Sequence, residues 1–221
     1  MTPSDAPDHF SRRATASQRR RQQILDAALE CFAGRGFAAT TMADIRKLAG
    51  ASTGSIYHHF KSKEQLAAQL YLEGVRGTQA QGLQALMRSE TTEQGIRALV
   101  GAYLDYVRAE PKLSAFLFAM RHADFMEPVE GELSRMNRTA LETAAEWFRA
   151  RITGGELPEI APDVFRAILY GPAAHFARRL VAGQAETDIE QAKRDLADAA
   201  WYSLHHLLER RRPRGGLDHD S

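Results

Sequence analysis

The chain has 221 residues, 44% hydrophobic and 26% charged, which is enough to build the core of one large or two small domains. A single cysteine, Cys31, excludes an internal disulfide and fits a reducing cytoplasm. The first residues lack the basic and apolar regions of a secretory signal, and the longest apolar stretch, Leu113–Met120, is far shorter than the roughly 20 residues of a membrane-spanning helix.

The net charge of +1 hides an asymmetry along the chain. Residues 1–63 carry ten Lys/Arg against five Asp/Glu, whereas residues 64–221 carry 19 against 23. A basic front on a mildly acidic body favours a polyanionic partner for the front alone. A difference in net charge of this size can also arise by chance, so it supports a polyanionic partner only together with a binding motif.

Apolar residues recur with a period near 3.6 along nearly the whole chain, and no segment alternates with period two for long enough to predict a strand. We therefore predict an all-α protein. Residues 1–16 show no period and are predicted to form a flexible arm that contains basic residues. The first helix is predicted over about 17–35, and Gly36 is expected to end it.

Two short helices are predicted next, one after Thr41 and one after Ser52. Thr41 and Asp44 have the spacing of a capping box, and Ser52 is a favourable N-cap. Apolar spacing predicts the residues that the first three helices turn toward the core: Ile24, Ala28, Phe32, Ile45, Leu48, Ile56 and Phe60.

A fourth helix is predicted from Ser62 to about Ser89, with a bend or break expected among Gly74, Gly77 and Gly82. About five helices follow. Gly171-Pro172 is expected to kink or split one of them. The last is predicted over about 188–211, before a flexible tail at 213–221.

The stretch Thr40–Lys63 reads TTMADIRKLAGASTGSIYHHFKSK and carries most of the functional information. Two short helical patterns are joined by a tight turn at Ala49-Gly50-Ala51, and the second begins with small polar residues. This is typical of a helix-turn-helix whose second helix lies in the major groove of DNA. We predict a DNA-binding domain over 17–67 and a second helical domain over 68–212.

This motif resembles the tetracycline-repressor (TetR) family of transcription regulators, over about residues 19–67. The matching residues are Ile24-Leu25-Asp26-Ala27-Ala28, Phe32, Gly36-Phe37, Thr40-Thr41, Ile45, Ala49-Gly50, Ser52-Thr53-Gly54-Ser55-Ile56-Tyr57-His58-His59-Phe60 and Lys61-Ser62-Lys63-Glu64-Gln65-Leu66. The resemblance implies a three-helix DNA-binding domain followed by a helical ligand-binding and dimerisation domain. It also implies a repressor that releases a near-palindromic operator when a small hydrophobic or aromatic ligand binds.

Nine residues are predicted to contact DNA. Short side chains on the first turn of the third helix let the backbone approach base edges, and helix N-termini favour phosphates. The lysine of the set resembles the family's phosphate-contacting lysine. The nine are Thr40, Thr41, Ser52, Thr53, Gly54, Ser55, Tyr57, His58 and Lys63. The two threonines at 40 and 41 could instead act as caps alone.

A basic run precedes and enters the first helix, at Arg12, Arg13, Arg19, Arg20 and Arg21. Such a run can reach the minor groove or the DNA backbone, and it can equally form a solvated, charged tail.

The family resemblance implies a homodimer formed by the last two helices. Small residues there would allow close helix approach: Ala173, Ala174, Ala177, Ala192, Ala199 and Ala200. The alternative is that these residues only cover the monomer's own core.

A mostly apolar cavity with a few polar groups is predicted to bind an effector. The candidate ligand-binding residues are Tyr103, Phe116, Met120, His122, Trp147, Tyr170 and His175. Each could also be plain core or surface.

Two other functions remain open: a DNA-binding regulator without a small-molecule effector, and an all-α enzyme. The sequence contains no nucleophile elbow, phosphate loop or metal-binding spacing, so we expect no catalytic residues, no cofactor and no metal. Adjacent histidines such as His58 and His59 point about 100° apart on a helix and cannot easily share an ion.

Overall fold

A computed structural model describes residues 9–120 and 129–211, except for the side chains of residues 9–15 and 141. Within these ranges the regular structure is helical throughout, which confirms the predicted all-α class. The helices are α1 (His9–Arg35), α2 (Met42–Leu48), α3 (Thr53–His59), α4 (Lys63–Met87), α5 (Thr92–Ala109), α6 (Pro111–Met120), α7 (Glu130–Thr153), α8 (Pro162–Val181) and α9 (Ile189–Arg211). Among these helices, none has the length and apolar character needed to cross a membrane.

The first helix begins earlier than its sequence period predicts. α1 starts at His9, so residues 9–16 of the predicted arm are helical. This segment contains neither glycine nor proline, and extending an existing helix adds one hydrogen bond for each residue fixed. Residues 1–8 and the predicted tail at 213–221 lie outside the described residues.

The glycines of α4 do not break the helix, so the predicted break is absent. α4 is one helix over 25 residues. A Cβ added at Gly74 would lie 2.8 Å from the Leu117 side chain, and one at Gly77 would lie 2.7 Å from the Tyr106 ring. These glycines therefore allow close approach of neighbouring side chains. α8 likewise continues through Pro172 without splitting.

The chain divides into two compact units. One consists of Met1–Gly74 with Lys112–Glu130, and the other of Val75–Pro111 with Gly131–Ser221. α4 therefore contributes residues to both, and nearly all of α6 packs with the N-terminal unit. The domain limits that the sequence suggests stay a prediction.

The N-terminal unit has an aliphatic and aromatic core formed by side chains that are almost fully buried: Ile24, Leu25, Ala28, Ile45, Ile56, Phe60 and Leu66. Burial of each large side chain contributes about 1.5–3 kcal/mol. Leu48 was expected in this core but is 57% exposed. At 100° per residue it lies about 60° from Ile45 around the short α2, on the side facing solvent.

The second unit is organised around α5, which packs against α8 and α9. Ile96, Val100 and Leu104 line its buried face, and Leu204 of α9 is fully buried. Charged residues join α5 and α9 at the surface: Lys193 lies 2.7 Å from the Asp105 carboxylate. This unit thus has its own core, independent of the helix-turn-helix.

Candidate nucleic-acid interface

The turn between α2 and α3 is built around Gly50. Its φ of 56° lies in the left-handed region, where a side chain would be strained. The Ala51 amide donates to the Arg46 carbonyl (3.1 Å), and Ser52 caps α3 by accepting from the Ser55 amide (3.1 Å). The expected helix-turn-helix is therefore present, with its second helix held by local hydrogen bonds.

One face of α3 points to solvent while the other is buried. Ile56 is fully buried. Thr53, Gly54, Tyr57 and His58 are exposed and fall within about 140° around the helix axis. The structure thus brings together on one surface four of the residues predicted to contact DNA.

Two further members of the predicted set flank this face. Ser52, the N-cap, is exposed, and Ser55 is half-buried. A Cβ added at Gly54 would meet nothing within 4 Å, so this glycine leaves open space above the first turn of α3. Such space allows a base edge to come close to the backbone.

Thr41 forms the predicted capping box at the start of α2. The Asp44 amide donates to Thr41 Oγ1 (3.2 Å), and Asp44 Oδ2 accepts from the Thr41 amide (3.0 Å) and hydroxyl (2.6 Å). The Thr41 hydrogen bonds, with Arg35 nearby, hold the pKa of Asp44 below its ordinary value. The polar groups of Thr41 are therefore already used in capping.

Thr40 faces the interior of the N-terminal unit. It is 1% exposed, and its hydroxyl lies 2.8 Å from the Gly36 carbonyl and 3.2 Å from the Cys31 carbonyl. Its amide donates to Phe37 (3.3 Å). This environment favours a packing role for Thr40, so we leave it out of the proposed interface.

Lys63 also points inward, toward the loop between α1 and α2. Its Nζ lies 3.0 Å from the Phe37 carbonyl, 3.1 Å from that of Ala38 and 3.1 Å from that of Thr40. The same ammonium lies 4.6 Å from the centre of the Phe37 ring. The phosphate contact implied by the family resemblance would have to displace one of these bonds.

Two arginines of the basic run in α1 make contacts within the N-terminal unit rather than pointing freely to solvent. Arg20 donates to the carbonyl of Ala49 in the turn (3.4 Å). Arg21 lies 3.3 Å from the Glu73 carboxylate and 5.1 Å from the centre of the Phe60 ring. Arg19 is exposed. The side chains of Arg12 and Arg13 lie outside the described residues.

The surface around α3 includes two lysines that sequence reasoning did not single out. Lys47 in α2 and Lys61 beyond α3 are both exposed, and Lys61 Nζ donates to the Tyr57 carbonyl (2.9 Å). Their positive charge within or next to the helix-turn-helix is the sequence signal that could have identified them. Burial, His58 and the neighbouring arginines lower the pKa of His59, which favours its neutral form.

The predicted ligand-binding residues that the structure describes are divided between the two compact units. Phe116 stacks on Phe32 in the N-terminal unit, with ring centres 5.6 Å apart, and Met120 belongs to the same unit. His175 is exposed. His122 lies outside the described residues.

Tyr103 and Tyr170, two of the predicted ligand-binding residues, are in contact with each other. The rings of Tyr103 and Tyr170 lie 5.7 Å apart, and burial raises the pKa of Tyr170 well above its ordinary value. Trp147 packs so closely on α5 that a Cβ at Gly95 would lie 2.3 Å from its ring. Trp147 therefore belongs to the core of the second unit, whereas Tyr103 and Tyr170 are half-buried.

A cleft of about 450 Å³ lies between the second half of α4 and α7. One end is charged, with Arg76 3.5 Å from Glu132 and Arg135 close by. The remainder is mostly apolar, from Ala80 and Leu83 to Met136 and Ala140. Its volume suits a small molecule. Among the described residues, no group of His, Cys, Asp and Glu is arranged to hold a metal.

An all-α chain with this front module is a helix-turn-helix protein. The family model for "Bacterial regulatory proteins, tetR family" matches residues 24–70. The transcriptional repressor KstR2 of Mycolicibacterium smegmatis is 48% identical over 65 residues, covering 29% of this chain and 30% of that protein. The match thus spans less than a third of that relative.

Solved structures extend the likeness in fold to most of the chain. A TetR family transcription regulator from Marinobacter aquaeolei VT8 superposes with a TM-score of 0.70 at 20% identity, covering 87% of this chain and 98% of that one. FadR of Bacillus subtilis, solved with stearoyl-CoA, gives 0.70 at 18% identity over 83% and 99% of the two chains. The likeness to the tetR family therefore covers residues 24–70 in sequence, and the solved structures share the fold over most of the chain.

Proposed function

We propose that the protein is a dimeric transcriptional repressor that binds a near-palindromic operator and releases it when a small amphiphilic ligand occupies the second unit. The observation that carries the proposal is the exposed face of α3, where Thr53, Gly54, Tyr57 and His58 stand opposite the buried Ile56. A helix with one anchored face and one open polar face can enter the major groove without unfolding.

The proposed contacts divide by chemistry. Backbone and hydroxyl groups of Ser52, Thr53 and Ser55 lie where base edges would be read, while Tyr57 and His58 reach bases or phosphates further along α3. The exposed ammonium groups of Lys47 and Lys61 add sequence-independent attraction to the DNA backbone.

Dimerisation is proposed because one helix-turn-helix reads only a half-site. Four of the six small residues expected at the interface, Ala173, Ala177, Ala192 and Ala200, are buried within the single chain, which favours the alternative of internal packing. Exposed apolar side chains remain on the same two helices, with Val164 46% and Tyr202 61% exposed. We propose that exposed residues of α8 and α9 form the interface.

The effector site is proposed in the cleft between α4 and α7. Its charged end and apolar body fit an elongated molecule with an anionic head, whereas the sequence favours a small hydrophobic or aromatic ligand. The stearoyl-CoA bound to the Bacillus subtilis FadR is a molecule of this kind. Binding would shift α4 and lower DNA affinity, a coupling that typically amounts to about 1–3 kcal/mol.

The test selects binding sites from a random DNA pool and measures affinity for the winners against salt, with and without stearoyl-CoA. An enriched near-palindrome with a steep salt slope supports the proposed repressor, and ligand-induced release supports the effector site. Enrichment with no response to acyl-CoA favours a regulator without such an effector. Failure to enrich any sequence contradicts operator binding.

A further inference from the structure

We propose that Lys63 is a positioning residue: it fixes the loop before α2 through three backbone carbonyls and so sets the orientation of the helix-turn-helix, rather than binding a phosphate. An ammonium group has three donors and no acceptor. Three carbonyl oxygens lie within 3.1 Å of Nζ, at Phe37, Ala38 and Thr40. The hydrogen-bonding capacity of Lys63 is thus filled before any DNA arrives.

The loop needs these donors. The carbonyls of Ala38 and Thr40 lie between α1 and α2, where no helical amide reaches them. Within the described part of the chain, Lys63 supplies the one hydrogen bond that each receives. Hydrogen bonds from a charged donor are stronger than those between neutral groups. Removal of the ammonium would therefore leave two loop carbonyls to water.

The place of Lys63 in its helix supports the same role. It is the first residue of α4, where the helix dipole presents partial positive charge and disfavours a cation. The three carbonyl dipoles and the face of the Phe37 ring, 4.6 Å from Nζ, offset that repulsion. A lysine in this position is thus stabilised by the loop itself, without a bound anion.

The fixed loop leads directly into the recognition module. Thr40 is held from its other side by the carbonyls of Gly36 and Cys31, and the next residue, Thr41, is the N-cap of α2. Lys63 therefore ties the start of α2 to the start of α4, a helix that continues into the second unit. The consequence for DNA binding rests on the proposed function, whereas the clamp exists in the DNA-free protein.

The test compares Lys63→Met with the parent protein, and Lys61→Met as the matched control. Lys61 is an exposed lysine two positions away that donates to a single carbonyl. In DNA-free protein we expect the Thr40 and Thr41 amides of Lys63→Met to exchange with solvent at least about tenfold faster, with exchange in the core of α1 unchanged. Lys61→Met should exchange like the parent.

DNA binding gives the second readout. We expect Lys63→Met to lose preference for the selected operator over random duplex while its salt slope stays that of the parent. A slope flattened by about one, with loop exchange unchanged, would establish a phosphate contact and overturn the proposal. Amide exchange that is faster throughout the N-terminal unit, together with an equal loss of affinity for operator and random duplex, would show a general loss of stability. That result would also overturn the proposal.

Lys63→Arg keeps the charge and covers the case in which the methionine variant fails to fold. The arginine side chain is longer than that of lysine and ends in a planar guanidinium. This group cannot donate to the three carbonyls unless the loop moves. We expect faster loop exchange and reduced operator preference. Parent-like values for both would overturn the proposal. If the parent binds no DNA with preference, the proposed function fails, while the exchange measurement still decides the clamp.

Discussion

The guanidinium of Arg35 and the carboxylate of Asp44 lie 2.8 Å apart, so the last residue of α1 is bonded to the capping box of α2. Asp44 thereby accepts hydrogen bonds from Thr41, the N-cap of its own helix, and from Arg35 of α1. One carboxylate joins two of the three helices that form the DNA-binding module.

This arrangement predicts a pH-dependent contribution of Asp44 to stability. Because its pKa is lowered in the folded protein, the contribution is present above the unfolded value of about 3.9 and is lost as pH falls through the folded value. Asp44→Asn should therefore be less stable than the parent at pH 7, and the difference should shrink below about pH 4. Urea unfolding across pH measures it, with the exposed Asp26→Asn as control. A difference that stays constant with pH contradicts the assignment.

Removing the hydroxyl of Thr41, the partner of Asp44 in the capping box, should cause a similar loss of stability at neutral pH. Thr41→Ala deletes the N-cap oxygen and is expected to cost about 1 kcal/mol, whereas Thr41→Ser keeps it and should cost much less. Thermal and urea unfolding compare the two variants. Equal stability of alanine and serine variants would mean that the hydroxyl does not stabilise α2.

Tyr57 is expected to act in DNA binding and to contribute little to folding. Its side chain is 44% exposed on α3, so Tyr57→Ala should weaken operator binding while changing stability by less than about 0.5 kcal/mol. Fluorescence anisotropy with the selected operator and thermal unfolding supply the two measurements. Unaltered operator affinity would remove Tyr57 from the contact set.

Close packing at Gly95 predicts a large effect from one methyl group. A Cβ there would lie 2.3 Å from the Trp147 ring, so Gly95→Ala should destabilise the second unit by about 1–3 kcal/mol. Gly101→Ala is the matched control in the same helix, because its Cβ would meet only Lys193 Cε, at 3.8 Å. This control should be neutral or slightly stabilising. Two variants of equal stability would contradict the packing seen at Trp147.

Filling the cleft should abolish the ligand response and spare DNA binding. Ala140→Trp places a large ring in the apolar part of the cleft, whereas Glu142→Trp adds the same ring at an exposed position of α7. When stearoyl-CoA is added, we expect Ala140→Trp to remain bound to the operator and Glu142→Trp to release it. Normal release from Ala140→Trp would place the effector elsewhere.

The sequence could predict the recognition module well because its signals are local. The spacing of Thr41 and Asp44, the N-cap at Ser52 and the glycine of the turn each concern residues within a few positions of one another. Leu48 shows the limit of such predictions. Helical spacing alone does not tell which faces of a two-turn helix are covered by neighbouring elements.

The remainder of the site depends on distant parts of the chain. Whether Lys63 extends to solvent or folds back on a loop 23–26 residues earlier is set by tertiary structure, and so is the role of Gly74 and Gly77 as points of close approach. Aromatic residues with helical spacing look the same whether they fill a core, as Trp147 does, or line a cavity. The cleft itself was found only from the packing of α4 and α7.

The internal bonding of the basic residues bears on the thermodynamics of DNA association. Of the ten basic residues in positions 1–63, Arg21 and Arg35 are paired with carboxylates, and Lys63 has filled its donors with carbonyls. Each phosphate that a protein neutralises sets free close to one condensed counterion. If the proposed function holds, we expect fewer ions to be released per subunit than its count of positive charges suggests, and a larger share of the binding free energy to come from the fit of α3 to the bases.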